Sequence, residues 1–449
     1  MTKSLFIAFG ALGLVACSLQ GDDPPPASSS GPSEQVPADW LGHELGIAPP
    51  TIREVPMPVA SPAKDRHAED VADDPERGRE VQALRADAQL RGQAPDDEDP
   101  RWTFYDLEAD RAFEVAFQPE DLALLYTAMV ERGETEGFWP VENSVAEADR
   151  ERDQLPEATE PPRPPDLPPG TAAGWSNGQD TRVRRGIADG LGAGFWPYRA
   201  IGHIPNGEGC TGTLIGRRTV LTAAHCVAFQ GVGPRSSLTF RARSDNTTTP
   251  MQLAPYGTAN IVSIWTPSNY TSASRCGDTS RAGQIDCNKF DIAVAELDSN
   301  VGDQTGAFGY GYAGDNTMRS WTYYLRGYPS CNPGWSDRPS NCPTSSAPTR
   351  NAALWGDGSC STGTFWSRGP KGWNRELSVS CDGSRGMSGS ALYTYSSPLN
   401  PGSPVAYGVY SQVLCTASAC AGDTYPSDIT RITPSFAQMI AARKSLWGG

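Results

Sequence analysis

Leu221-Thr222-Ala223-Ala224-His225-Cys226 is an apolar β-like run that ends in a turn of small residues presenting one His beside one Cys. It belongs to a series of short β-like runs: Tyr198 to Ile204, Gly212 to Thr222, Ser237 to Arg241, Asn260 to Trp265, Asp291 to Leu297, Trp321 to Tyr328, Glu376 to Val379, Ala391 to Tyr395 and Val405 to Val413. Turn residues separate them, a pattern that predicts an all-β unit. The stretch of about 275 residues that holds them has the length for two small antiparallel barrels. The clear helix in this half is Pro434 to Lys444, with Phe436, Met439 and Ile440 on one side.

Outward from this half, the sequence changes character. Leu155 to Gly170 holds seven prolines and marks a main boundary, so that 174–449 reads as one domain and 155–173 as a Pro-rich linker. Residues 63–154 read as an acidic, partly helical pro-region. Its best helix starts at Pro119-Glu120-Asp121, where Pro suits a first turn and acids suit the positive helix end, and continues through Leu122, Leu125, Tyr126 and Met129. With Trp102, Phe104, Tyr105, Phe113 and Phe117 it is expected to form a small helical core. Residues 17–62, rich in Pro, Ser, Gly and Asp, read as a disordered linker. Leu5 to Ala16 follows a single Lys3 and has the length of a signal h-region, not of a membrane span, so 1–16 reads as an export signal.

The 449 residues carry a net charge of −15. Cys17 to Asp166 holds 13 basic and 35 acidic residues, net −22, and Leu167 to Gly449 holds 23 and 17, net +6. An acidic front and a back with no Lys/Arg-dense run argue against nucleic acid as a partner, because phosphate contacts need clustered cations. Four His and no His-Glu-x-x-His helix argue against a zinc hydrolase, and no metal site is expected. Ten of the eleven cysteines lie between Cys210 and Cys420, an even number that predicts disulfides and an oxidising compartment. Proximity pairs Cys276 with Cys287, Cys331 with Cys342 and Cys415 with Cys420.

A hydroxyl is a poor nucleophile near neutral pH. It needs an imidazole to take its proton, a carboxylate to orient that imidazole, and backbone N–H groups to stabilise the oxyanion. The β half offers all of these: His225 in its turn, Asp291 heading the apolar strand Phe290-Asp291-Ile292-Ala293-Val294, and Ser388 in Gly386-Met387-Ser388-Gly389-Ser390. Read singly, each has a structural explanation: a packed His, a turn cap, a tight glycine turn. His203 lies in a strand without a partner motif and is assigned to structure. Gly190 to Gly194 has no strand before it and no Lys after it, so it is not a phosphate loop.

These three motifs in the order His, Asp, Ser, with Cys210-Thr211-Gly212-Thr213-Leu214-Ile215 upstream, resemble chymotrypsin-like serine proteases, most of all the bacterial V8-like (glutamyl endopeptidase-like) branch. The resemblance covers Gly174 to Lys444 and begins at Asn177-Gly178-Gln179-Asp180-Thr181-Arg182. It implies two six-stranded antiparallel barrels of trypsin-like form with a short C-terminal helix. It also implies a serine endopeptidase that needs no cofactor and acts on protein or peptide. In it His225 is base and then acid, Asp291 its orienter, Ser388 the nucleophile, and the N–H groups of Gly386 and Ser388 the oxyanion hole. A Cys210–Cys226 disulfide is implied as well, and with the three proximity pairs it leaves Cys360 with Cys381. The same motifs are open to two other uses, a non-catalytic surface-binding protein and an esterase.

The residues also depart from the resemblance. The branch that cleaves after Glu carries a His where Tyr407-Gly408-Val409-Tyr410 ends in Tyr410, and a Thr where this chain has Gly383. Asp382, six residues before Ser388, stands at the spacing of the trypsin pocket carboxylate. Asp382, Gly383, Tyr410 and Ser411 are therefore the expected pocket residues. Met387 stands where animal relatives carry the Asp that receives a new amino terminus, so activation is expected to remove a covering segment instead. The acidic pro-region is the expected cover and partner, docked partly by charge, with a cut near Gly170 to Asn177 or Arg182 to Gly186. Leu14-Val15-Ala16-Cys17 is similar to a bacterial lipobox, which implies a lipid on Cys17, membrane attachment as an outer-membrane or cell-surface lipoprotein precursor, and release of the protease by that cut. An ordinary secretory signal with an incidental Cys is the alternative.

Overall fold

β-Branched and aromatic residues dominate the runs quoted above, and each run pairs with partners far along the chain. The computed structural model describes residues 40–57, 101–137, 180, 182–185, 196–206, 209–244, 254–276, 287–331, 338–339, 342, 353–368, 374–397, 403–413 and 427–447. The signal run, Cys17, the Pro-rich linker and the Cys415–Cys420 pair lie outside the described residues.

Six strands make the first barrel: β4 (Ile201–Ile204), β5 (Cys210–Leu214), β6 (Thr219–Thr222), β7 (Thr239–Ala242), β8 (Ala259–Pro267) and β9 (Ala293–Leu297). They pair antiparallel in the order β8-β7-β4-β5-β6-β9, and the β8–β9 ladder, Ile261 with Leu297 through Trp265 with Val294, closes the ring. A barrel this small fills its interior with side chains. Phe240 does so here, and only because Gly202 faces it, since a Cβ on Gly202 would stand 2.3 Å from the Phe240 ring.

The second sheet runs β11 (Thr362–Arg368), β12 (Asn374–Val379), β15 (Ser427–Arg431), β14 (Val405–Val413), β13 (Ala391–Thr394), β10 (Tyr324–Gly327) in spatial order. It curls without the continuous ladder expected of a second closed barrel. The free edge of β10 pairs with Trp355–Gly356, which pairs in turn with Val183–Arg184. Among the described residues, the bridge of Tyr323 with Cys360 then joins β10 to the chain entering β11.

The front is not the small helical core expected of it. Trp102, Phe104 and Tyr105 lie on β2 (Arg101–Asp106) and Phe113 on β3 (Arg111–Ala116), and Thr51–Val55, inside the expected disordered linker, is strand β1. The order β1-β3-β2-β8 makes these three strands a continuation of the first barrel's sheet. Partners distant in sequence supply what local composition lacks: Arg53 pairs with Glu114 and Arg111 with Glu54 across the strands. The helix read at Pro119 does form, as α1 (Pro119–Glu131), with Leu122, Leu125, Tyr126 and Met129 buried at helical spacing. It packs on the C-terminal helix (Pro434–Trp447). All described residues belong to one compact unit, Gly31–Gly449, so the boundary expected near residue 160 does not separate two cores.

His203, on β4, is 7 % exposed with its ring 5.5 Å from that of Tyr328. Neither ring nitrogen has a hydrogen-bond partner among the described residues. Burial, and then the charge of Arg241, push its pKa from 6.5 down to about 3. The unfolded chain therefore takes up a proton near pH 6.5 that the folded chain refuses until about pH 3, and stability is lost as pH falls through that window. His203→Phe is expected to remove a loss on the order of a few kcal/mol from that acid limb. Denaturant titrations at pH 7 and pH 4 check it, and equal slopes in both proteins would contradict it.

Candidate active site

The chain leaves β6 through Ala223 into a single helical turn, Ala224–Val227, which carries His225. The Cys210–Cys226 disulfide ties this turn to β5. Asp291 lies just before β9, which pairs with β6 from Ala293 with Thr222 onward, so the strand ladder brings the carboxylate to the imidazole. One carboxylate oxygen accepts the backbone N–H of His225 at 2.8 Å, and the other lies 2.7 Å from its Nδ1. Ser411, from β14 of the second sheet, donates its hydroxyl to that second oxygen at 2.5 Å. Burial pushes the Asp291 pKa up, but the His225 charge and the hydrogen bonds from His225 and Ser411 outweigh it and hold the carboxyl below its ordinary range.

Ser388 sits between Gly386, at φ +87°, and Gly389, at φ +85°. Both glycines are required by conformation and by space: a Cβ would meet the carbonyl oxygen of Tyr328 at 2.4 Å from Gly386, and that of Thr211 at 2.1 Å from Gly389. Thr211 on β5 ties the loop to the first barrel. Its N–H donates to the Ser388 carbonyl at 2.7 Å, and its hydroxyl donates to the Gly386 carbonyl at 3.0 Å while accepting the Tyr328 N–H at 2.9 Å. The Ser388 hydroxyl turns to the Ser411 carbonyl at 3.4 Å, and no hydrogen bond joins it to His225 among the described residues. Ser411 thus touches both Asp291 and Ser388, which brings the three sequence-predicted residues to one place. The N–H groups of Gly386 and Ser388 donate to no acceptor among the described residues. Sulfur and imidazole of Cys210, Cys226 and His225 also cluster here, but both sulfurs are spent in the disulfide.

The trypsin family matches this chain over residues 192–440. The chain belongs to that family. A glutamyl endopeptidase of Bacillus licheniformis is 32% identical over 135 residues, which cover 30% of this chain and 37% of that protein, a little over a third of its length. Among solved structures, a Glu endopeptidase in complex with MPD is similar at 20% identity and a TM-score of 0.41, over 60% of this chain and 98% of that one. Protease Anisep from Arthrobacter nicotinovorans is similar at 18% identity and a TM-score of 0.35, over 52% and 90%.

The expected pocket residues of this trypsin-family domain part company. Ser411 belongs to the Asp291 cluster. Asp382 is fully buried, and its field acts on Arg182. Arg182 is buried too: it pairs with Asp180 at 2.9 Å and donates to the Ser384 hydroxyl at 2.6 Å. Burial works against its charge, but Asp180 first, then Asp382 and Asp357, outweigh it. The backbone N–H of Asp382 donates to the Asp357 carboxylate. The carboxylate expected to meet a cationic substrate is therefore buried, in the field of Arg182 that it shares with Asp180 and Asp357. Tyr410 lies against Gly383, whose Cβ would stand 2.3 Å from the ring. The expected pairs Cys276–Cys287, Cys331–Cys342 and Cys360–Cys381 are all present.

Sequence reasoning quoted Asp180, Arg182 and Thr211 within the motifs of the resemblance, and Arg182 as the start of a candidate cut, without assigning them these contacts, and did not single out Asp357. Little that is local marks them, since Arg182 reaches Ser384, Thr211 reaches Gly386 and Tyr328, and Asp357 reaches Asp382. Arg182→Met leaves Asp180, Asp357 and Asp382 without their guanidinium, and an expected ~3–5 kcal/mol of stability is lost. Ser384→Ala, which removes one bond to that cation, is expected to cost ~1–3 kcal/mol. Chemical denaturation of the two variants measures both, and similar losses would contradict the cluster's electrostatic role.

Proposed function

We propose that this protein is a serine endopeptidase that hydrolyses peptide bonds through His225, Asp291 and Ser388. The observation that carries the reading is the two-point hold of Asp291 on His225, at the backbone N–H and at Nδ1. With Nδ1–H engaged by the carboxylate, Nε2 is the basic nitrogen, available to take the Ser388 proton once the hydroxyl turns from the Ser411 carbonyl. The freed Oγ attacks the substrate carbonyl, and the N–H groups of Gly386 and Ser388 receive the oxyanion, each such donor contributing a factor on the order of 10²–10³ in rate. His225 returns its proton to the leaving amine, and a water repeats the sequence on the acyl-enzyme. The depressed Asp291 pKa suits this role, because the carboxylate stays ionised while the imidazole charges.

The relatives' printed names suggest cleavage after Glu, but Tyr410 and Gly383 offer no cation or imidazole to a substrate carboxylate, and burying one unpaired is costly. Asp382 is fully buried in the field of Arg182, which withholds it from a basic side chain too. The primary preference is therefore for an uncharged side chain. The chain is further proposed to be an exported precursor with a lipid on Cys17, cut between the front and residue 180.

A fluorophosphonate probe is expected to label the protein, Ser388→Ala to abolish the label, and the same change to lower kcat by on the order of 10⁶. Absence of label would favour the non-catalytic binding protein, and ester turnover without peptide turnover the esterase. A peptide-library digest is expected to show cleavage after uncharged residues; a dominant Glu, Arg or Lys preference would refute the pocket reading.

A further inference from the structure

From its charge, the front reads as a cover that docks electrostatically and leaves when cut. Its described residues are attached in another way. Along one edge of β8, β7 reaches only Ala259 and Asn260. From Ser263 to Pro267 that same edge is taken by β2, in register Ser263 with Asp106 through Pro267 with Trp102. Without the front, this run of backbone donors and acceptors would lie bare in a strand whose other edge closes the barrel.

The side chains repeat the point. Trp102 meets Phe436 of the C-terminal helix edge-on at 5.8 Å, and Phe104 meets Trp265 of β8 at 5.0 Å. Trp40 is 1 % exposed, and its indole N–H donates to Ser445 at 2.9 Å. Tyr126 of α1 lies 5.4 Å from Tyr312. At the end of the front, Tyr310 N–H donates to the Thr135 carbonyl, and Gly137 lies so close to Ala307 and Gly309 that a Cβ would meet their backbone at 2.5 Å. These groups form one continuous core with the first barrel. Ladder bonds and apolar burial of this kind are not screened by salt.

The attached strand also backs the catalytic side. Thr103 on β2 donates to the Ser268 hydroxyl at 3.0 Å, and Tyr105 hydrogen-bonds Thr271. Thr266, paired with Thr103, donates to the carbonyl of Ile292, the residue after Asp291, at 3.4 Å. We propose that the described residues of the front, 40–57 and 101–137, are a permanent, non-covalently held part of the protease. A cut between 138 and 179 then yields a two-chain molecule in which the front stays bound and keeps the Asp291 strand in place. A lipid on Cys17 would go on holding both pieces, the reverse of release by cutting.

The dependence of activity on the front rests on the function proposed above; its retention does not. A recognition sequence for a site-specific endoprotease, inserted in the full chain between Leu155 and Gly170, allows the cut to be made at will. After cutting, the two pieces are expected to co-elute on size exclusion in 0.1 M and in 1 M NaCl, and to separate only in denaturant. Separate elution in buffer alone, or release by salt, would overturn the proposal. Trp102→Ala in the same cut chain is expected to lower the urea concentration at which the pieces part; no change would contradict the seating of that residue. Fluorophosphonate labelling is expected to survive the cut, to vanish from the catalytic piece once the front is stripped away, and to return when the front is added back. Full labelling of the stripped piece would refute the dependence. If neither the intact nor the cut chain labels, the enzyme reading falls while co-elution still decides the retention.

Discussion

One buried carboxylate organises the molecule's centre. Asp291 is 2 % exposed, and a carboxylate so placed is tolerated only when donors replace the water it has lost. Those donors come from both halves of the fold: the backbone and ring of His225 from the first barrel, and the hydroxyl of Ser411 from β14 of the second sheet. Satisfying Asp291 therefore requires the two sheets to meet in one relative position. That position is the one that sets Ser388 beside Ser411, so the carboxylate that holds the imidazole also fixes where Ser388 stands.

Thr211 extends the same logic on the other side of the cleft. Its main chain and side chain bind the nucleophile loop at Ser388 and Gly386, and its carbonyl accepts the Thr222 hydroxyl at the end of β6, close to His225. The loop can come this near only because Gly386 and Gly389 lack a Cβ and accept positive φ. Backbone, not side chain, shapes this turn, and among the described residues the N–H groups of Gly386 and Ser388 meet no acceptor.

Local signals made much of this legible in the sequence. His225 follows an apolar strand through two alanines, Asp291 heads another apolar run, Ser388 stands between glycines, the strands of the β half carry their own β-branched pattern, and Pro119-Glu120-Asp121 announces its helix. What escaped was whatever depends on distant pairing. Thr51–Val55 is a strand because Arg111 and Glu114 lie across from it, not because of its composition. Trp102, Phe104 and Tyr105 suit a helical core or a sheet equally well until β8 offers an edge. Asp382 sits at the right spacing for a pocket, but spacing says nothing of Arg182, which is brought beneath it by the Val183–Arg184 pairing with Trp355–Gly356.

Arg182 also bears on how the nucleophile loop is held in shape. Met387, next to the nucleophile, is fully buried among Met318, Leu325 and Leu377 of the second sheet's core, an apolar site with no place for an ammonium group. The cation at the base of the loop is instead the guanidinium of Arg182, held to Asp180 and Ser384 and opposed by Asp357, whose burial lifts its carboxyl to about 6. A side chain in that role is present whichever bond upstream of it is cut, so the loop needs no newly made amino terminus to take its form. The front that shares the barrel's core and the Arg182 cluster beneath the loop thus describe the same design. The ladder that joins the front to β8 and the contacts of Arg182 both belong to the uncut chain, and neither uses a newly made amino terminus.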